Sequence, residues 1–130
     1  MGAFRTAKLD EIAAEKWPYW APIRHHFGIE SFGVNAFRGN TGDRVVTPHN
    51  HEEDGAQELY LVISGAATFT IAGDEVEAPA VTFVWVDDAK ADRVAFASAD
   101  GTVVVSIGAG APGTAYAPQG WDTSYLESDE

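Results

Sequence analysis

Eight short runs rich in β-branched and aromatic residues follow one another through the middle of the chain: "SFGVNAFRG", "RVVTPHNH", "QELYLVIS", "ATFTIAG", "EVEA", "VTFVWV", "RVAFAS" and "TVVVSIG". Gly, Asp and Asn punctuate them. Side chains of this kind suit a pleated, half-buried surface, and so many strands at such close spacing imply an all-β sandwich or barrel. Hairpin turns are expected at "SGAA", "AGDE" and "SADG", because Gly and Asp tolerate the positive φ of tight β-turns.

The flanks read differently. In "KLDEIAAEKW" Leu9, Ile12, Ala13 and Lys16 share a helical face and the acids come early, so a short helix is expected, ended by Pro18. "WPYWAPIRHHFG" mixes aromatics with two prolines and reads as extended. The tail "GAGAPGTAYAPQGWDTSYLESDE" is too rich in Gly and Pro for a strand, yet it carries Tyr116, Trp121, Tyr125 and Leu126. It reads as an irregular strap packed on the barrel and fraying at "ESDE". A length of 130 residues suits one domain. The expected core spans about 30–110, with a helix and extended segment over 1–29 and the strap over 111–130.

Charge narrows the function classes. Twenty acids against eight bases give a net charge of −12, and the bases are scattered along the chain. Such a field repels phosphate backbones and anionic membrane surfaces, so no nucleic-acid or membrane role is expected. The absence of Cys excludes disulfides, zinc knuckles and thiol catalysis. No basic, apolar leader opens the sequence, and no apolar run approaches the roughly 18 residues of a membrane span. A cytoplasmic protein is therefore expected.

The chemistry gathers in "HNHEEDGAQELYLVISG", residues 49–65. Alternate residues of a strand point to one face, which sets His49 and His51 side by side with Cα atoms about 6.5 Å apart. Two imidazoles so placed can share one ion at bond lengths of about 2.1 Å. Glu58 shares a face with Tyr60 and Val62, whereas Gln57, Leu59, Leu61 and Ile63 make an equally apolar opposite face, so parity leaves its direction open. Facing inward, it would need a partner, a proton or a cation. Two histidines and a carboxylate would then form a facial set with open positions on iron or a similar divalent ion. The plainer alternative is a pair of half-buried histidines bonded to backbone or water.

This stretch resembles the first signature of the cupin family: His-x-His, a gap, Glu, six residues and Gly, here His49, His51, Glu58 and Gly65. The gap before the Glu is longer than the commonest form, and Gly42 lies one residue upstream of the usual opening Gly. The resemblance covers roughly residues 30 to 110. It implies a double-stranded β-helix, or jelly-roll, barrel with the short helix ahead of it, and Glu58 turned inward as a metal ligand beside His49 and His51. In the second signature the match is weaker: Val81, Asp87, Ala89 and Asp92 stand where Gly, Pro, Gly and His are usual. Asp92 becomes the candidate fourth ligand, with a solvated turn residue as the alternative.

Two functions follow from the resemblance. One is a metal-dependent enzyme, dioxygenase-like or isomerase-like, holding iron, manganese, nickel or zinc and acting on a small organic molecule. The other is a small-molecule-binding module that has lost turnover, and a structural domain stabilised as a homodimer comes third. Tyr60, Arg38 and Phe96 are candidate pocket residues, an Arg suiting a carboxylate-bearing ligand. Surface solvation is the simpler reading for Arg24, Asn35 and Arg38, and a structural role for the adjacent His25 and His26. Phe69, Phe83 and Trp85 are expected, with Tyr60 and Phe96, to pack the core.

Overall fold

A computed structural model describes residues 2–118 and 121–127. Its order is α1 (Leu9–Ile12), β1 (Trp20–Ala21), α2 (Ile23–Phe27), β2 (Gly33–Gly39), β3 (Arg44–His49), β4 (Gln57–Ser64), β5 (Ala66–Ile71), β6 (Asp74–Pro79), β7 (Thr82–Val86), β8 (Arg93–Ala97), β9 (Thr102–Ala109) and α3 (Trp121–Glu127). Strands β2 to β9 fall on the eight runs read from the sequence. They form two antiparallel sheets, ordered β1-β2-β9-β4-β7 and β3-β8-β5-β6. From β2 to β9 the chain passes to the opposite sheet at every step but β5 to β6 and so wraps both sheets into a jelly-roll barrel.

That winding corrects two of the three expected hairpins. "AGDE" does turn β5 into β6, with Ile71 paired to Asp74 and both Ala72 and Gly73 at positive φ. "SGAA" and "SADG" instead carry the chain from one sheet to the other. At the first crossing Gly65 has φ +70°, and an added Cβ would lie 2.3 Å from Thr102 Oγ1. Thr102 is fully buried there; its Oγ1 donates to the Ala99 carbonyl at 2.7 Å and accepts from Ala66 N at 3.1 Å.

The inward faces meet in a core of Val45, Val46, Tyr60, Val62, Phe69 and Val104, closed by small Ala67, Ala78, Ala95 and Ala97. Phe83, Trp85 and Phe96 are not in it: 62%, 47% and 46% exposed, they stand on the outer sheet faces. Strand parity decides this. In β8, Arg93, Ala95 and Ala97 are buried, which turns Phe96 outward.

The N-terminal segment covers the outer face of β2 and β9, where Ile12, Ala21 and Ala36 form a second cluster with Leu9, Ile23, Phe27, Val103 and Val105 around it. Its local structure departs from expectation. The first helix stops at Ile12, because Ala14 N donates to Trp20 O at 2.9 Å and commits the chain to pairing across the turn. The segment expected to be extended contains α2. Pro22 stands at its N-cap, where a missing N–H costs nothing, and Gly28 at φ +71° closes it with a bond to His25 O. His25 and His26 therefore lie on a helix.

The tail ends in α3 rather than remaining irregular throughout. Tyr125 stands edge-on to Trp17 and Trp20, ring centroids 6.4 Å apart in both pairs. Of the fraying expected at "ESDE", Glu127 is helical instead and residues 128–130 lie outside the described residues, as does the packing expected of the Trp121 side chain. Among the described residues no helix is long and apolar enough to cross a membrane.

Candidate metal centre

Two register shifts in β3 against β8 bring His49 opposite Arg93, where unbroken pairing would not. The chain leaves the strand there, and His51 N donates to Ala89 O at 2.8 Å. The two rings come to rest 5.1 Å apart and nearly perpendicular. Glu58, at the start of β4, faces the same space, with His49 Nε2 at 3.1 Å and His51 Nε2 at 3.5 Å from its Oε1. The donor atoms of His49, His51 and Glu58 all lie within 4.8 Å of one another, and the group can hold a metal ion.

The other nitrogen of each imidazole fixes what faces Glu58. His49 Nδ1 lies 2.6 Å from Thr47 O, a carbonyl that can only accept. His51 Nδ1 lies 3.2 Å from the Asp54 carboxylate. The Nδ1 bonds thus place a proton on Nδ1 of both rings and turn both Nε2 atoms toward the same carboxylate oxygen, to which each presents a lone pair when neutral and an N–H donor when charged. Lone pairs converging on one point repel unless a cation or added protons lie among them. His51 Nε2 is buried, at the long end of hydrogen-bond range from the Glu58 oxygen.

Glu58 is also held from the opposite side. Arg93 Nη1 donates to its Oε1 at 3.1 Å, and the Tyr60 hydroxyl donates to the same oxygen in a short bond. Arg93 is fully buried, with Nε and Nη2 donating to the carbonyls of Ala89 and Ala91. Burial alone would raise the Glu58 carboxyl, but bonds from His49, His51 and Tyr60 outweigh it and hold the group well below the usual carboxylate range. Glu58 in turn raises His51 above the ordinary imidazole value, against the opposing effect of burial. Burial and the Glu58 charge push the Tyr60 phenol up, so it stays protonated as a donor.

The remaining sequence candidates are not brought to this point. Asp92 is exposed, one residue out of phase with the inward face of β8, and accepts from Asn50 Nδ2 at 2.8 Å. Arg93 holds the inward position instead. Its signal in the sequence is the alternation that puts Arg93 on one face with Ala95 and Ala97. Arg38 lies on the outer face of β2, donating to Pro18 O at 2.9 Å and pairing with Asp10, and so tethers the N-terminal segment. Phe96 is on the outside of β8. Of the three expected pocket residues, only Tyr60 lines the cavity.

That cavity, of about 270 Å³, opens beside the metal group. Its wall is built in rows across β2, β9 and β4. Phe37 stands at the apolar end, in register with the core residues Val104 and Val62 behind it; then come Asn35, Ser106 and Tyr60, then Gly33, Gly108 and Glu58. Tyr116 and Ala117 of the tail complete the lining. Asn35, read from the sequence as surface, is buried and faces this space.

No family model matches the chain, and no curated protein matches it. Solved structures do. The chain is similar to a cupin protein from Bacteroides fragilis with 18% identity and a TM-score of 0.69, over 88% of this chain and 90% of that one. It is similar to a sugar phosphate isomerase of a cupin superfamily from Silicibacter pomeroyi with 16% identity and a TM-score of 0.58, over 69% and 57%. KdgF from Halomonas sp. gives 16% identity and a TM-score of 0.54, over 62% and 69%. At these identities the likeness is one of fold.

Proposed function

The chain has the cupin fold, and from that premise we propose that it binds a divalent transition metal through His49, His51 and Glu58 and acts on a small organic molecule in the adjoining cavity. The observation that carries this is the pair of Nδ1 bonds, which turns two Nε2 atoms and a carboxylate toward one another. Imidazole and carboxylate donors suit iron, manganese, nickel or zinc, and three protein ligands leave positions for substrate. A bound ion would supply Lewis-acid polarisation of a substrate oxygen, or redox chemistry if it is iron or manganese, in a dioxygenase-like or isomerase-like reaction. The chain's own residues orient that chemistry. Thr47 and Asp54 set the two tautomers, while Arg93 and Tyr60 keep Glu58 ionised and in place.

A second reading, a binding module without turnover, is favoured by one observation. The inward residue of β8 beside the group is the cation Arg93 rather than a fourth ligand. Metal analysis of untagged protein, wild type against His51→Ala and Glu58→Gln, tests the first reading. It expects near-stoichiometric metal in wild type and loss in both variants; a wild type that cannot be loaded overturns it. Oxygen-consumption and isomerase screens on the loaded protein then separate enzyme from binding module.

The outer face of β4 and β7 supports a homodimer. Phe83, Trp85 and Ile63 stand exposed there, next to Leu59 and Leu61, a contiguous apolar surface of the kind that marks association.

A further inference from the structure

The cavity carries information about ligand class beyond the metal itself. We propose that it binds a small molecule whose body, away from the metal group, is uncharged and bears hydroxyl or carbonyl oxygens, and that it discriminates against phosphate esters. The metal reading is needed only for the end of the ligand that meets Glu58.

Hydrogen-bonding capacity comes first. Asn35 and Ser106 are register partners, as are Ser106 and Tyr60, so the three form one polar row across three strands, all lining the cavity. Trp20 Nε1 donates to Asn35 Oδ1 at 2.9 Å, and both residues are buried. That bond fixes the amide, leaving the two N–H donors on Nδ2 for the cavity side. The row therefore offers an oriented donor and a hydroxyl that can donate or accept. Phe37 and Val46 supply apolar lining beside it, and on the side toward Glu58 the row's neighbours Gly33 and Gly108 bring no side chains of their own. A Cβ on Gly33 would lie 2.9 Å from the Tyr116 hydroxyl, so the glycine admits a phenol from the tail into this wall.

Charge comes second. All eight Lys and Arg residues of the chain are described, and none lines the cavity. Arg93, the cation nearest the metal group, is spent on Glu58 and on the carbonyls of Ala89 and Ala91. Asp54 is in the lining, and the chain as a whole carries −12. A phosphate needs Arg, Lys or a cluster of backbone N–H donors to replace its hydration, and burying it without them is costly. Nothing in the Asn35 row meets that need, whereas a hydroxyl or carbonyl is satisfied by the groups present. A single carboxylate or enolate oxygen remains compatible with the metal end. The sugar phosphate of the Silicibacter pomeroyi protein's description is therefore not the ligand type this cavity suits.

Matched pairs test the proposal: dihydroxyacetone and D-fructose against dihydroxyacetone phosphate and fructose 6-phosphate. Each is titrated into the full chain, zinc-loaded and chelator-treated, with binding followed by ligand-observed NMR. The neutral member of at least one pair is expected to bind about 10-fold more tightly than its ester. Ser106→Ala is expected to weaken it by about 3- to 10-fold, the range of one lost hydrogen bond. Asn35→Leu should do the same, and Ser106→Ala keeps the test decisive if loss of the Trp20 bond unfolds that variant. Tighter or equal binding of the esters, no binding by either neutral probe, or indifference to Ser106→Ala overturns the proposal. Zinc content of the same samples judges the metal reading separately. Neutral binding without zinc retires the metal alone, and zinc loading with ester preference retires the proposal alone.

Discussion

At the scale of single residues the Glu58–Arg93 pair is the most consequential contact, because Arg93 is fully buried, Glu58 is largely so, and the carboxylate also belongs to the candidate metal group. Removing one partner of a buried ion pair costs about 3–5 kcal/mol, since the survivor is left uncompensated. Arg93→Met is therefore expected to destabilise chelator-treated protein by roughly that amount in urea unfolding, and zinc-loaded protein by less, because a bound cation also balances Glu58. Equal losses in both states would argue against metal at Glu58. The pH dependence has a definite sign. Glu58, held below its ordinary 4.5, contributes stability that is present above that pH and lost as the pH falls. His51, raised above its ordinary 6.5, contributes stability that is complete below 6.5 and lost as the pH rises through its folded value. Melting temperature of metal-free protein should therefore decline above about pH 6.5 on account of His51, whereas zinc, which needs the neutral ring, should reverse that slope. The ligand trio was legible as a motif, but Asp92 and Arg93 differ by one position, and a one-residue change of phase exchanges inside for outside.

At the scale of elements, the crossing at Gly65 and the hairpin at Gly73 separate two demands that look alike in sequence. Both glycines have positive φ, yet a Cβ at Gly73 meets nothing within 4 Å, while one at Gly65 runs into Thr102. Gly73→Ala is expected to cost about 1 kcal/mol, the conformational term alone, and Gly65→Ala at least about 2 kcal/mol more in denaturant unfolding. Equal costs would mean that Thr102 moves aside freely. This also explains why strands β2 to β9 could be read from residue type while "SGAA" and "SADG" were taken for hairpins. Turn chemistry reports a local reversal, not whether the next strand pairs with the last or crosses to the other sheet. Helix α2 was hidden for a similar reason. Pro22 suggests extended chain, and only the position of Gly28 five residues after Ile23 closes a helix. The bulges of β3 left no mark in the residue pattern, although they set His49 opposite Arg93.

For the whole molecule, the unequal covering of the two sheets matters most. The N-terminal segment shields β2 and β9, and nothing described covers the outer face of β7. Light scattering is expected to give the mass of two chains for wild type and of one for Phe83→Glu, with an unchanged melting temperature for the isolated chain; a monomeric wild type would exclude this surface as a self-association site. Phe83 and Trp85 could not be assigned outward from sequence, because an apolar strand that awaits a partner looks the same as one that faces a core. The tail has a different bearing. Tyr116 and Ala117 line the cavity, yet they follow every strand in the chain. During synthesis the three candidate metal donors, at the end of β3, just beyond it and on β4, leave the ribosome before β9 and the tail, which close the cavity wall. An ion bound by those donors would thus find them on a half-made barrel, whereas a ligand of the cavity would find its walls only on a finished one.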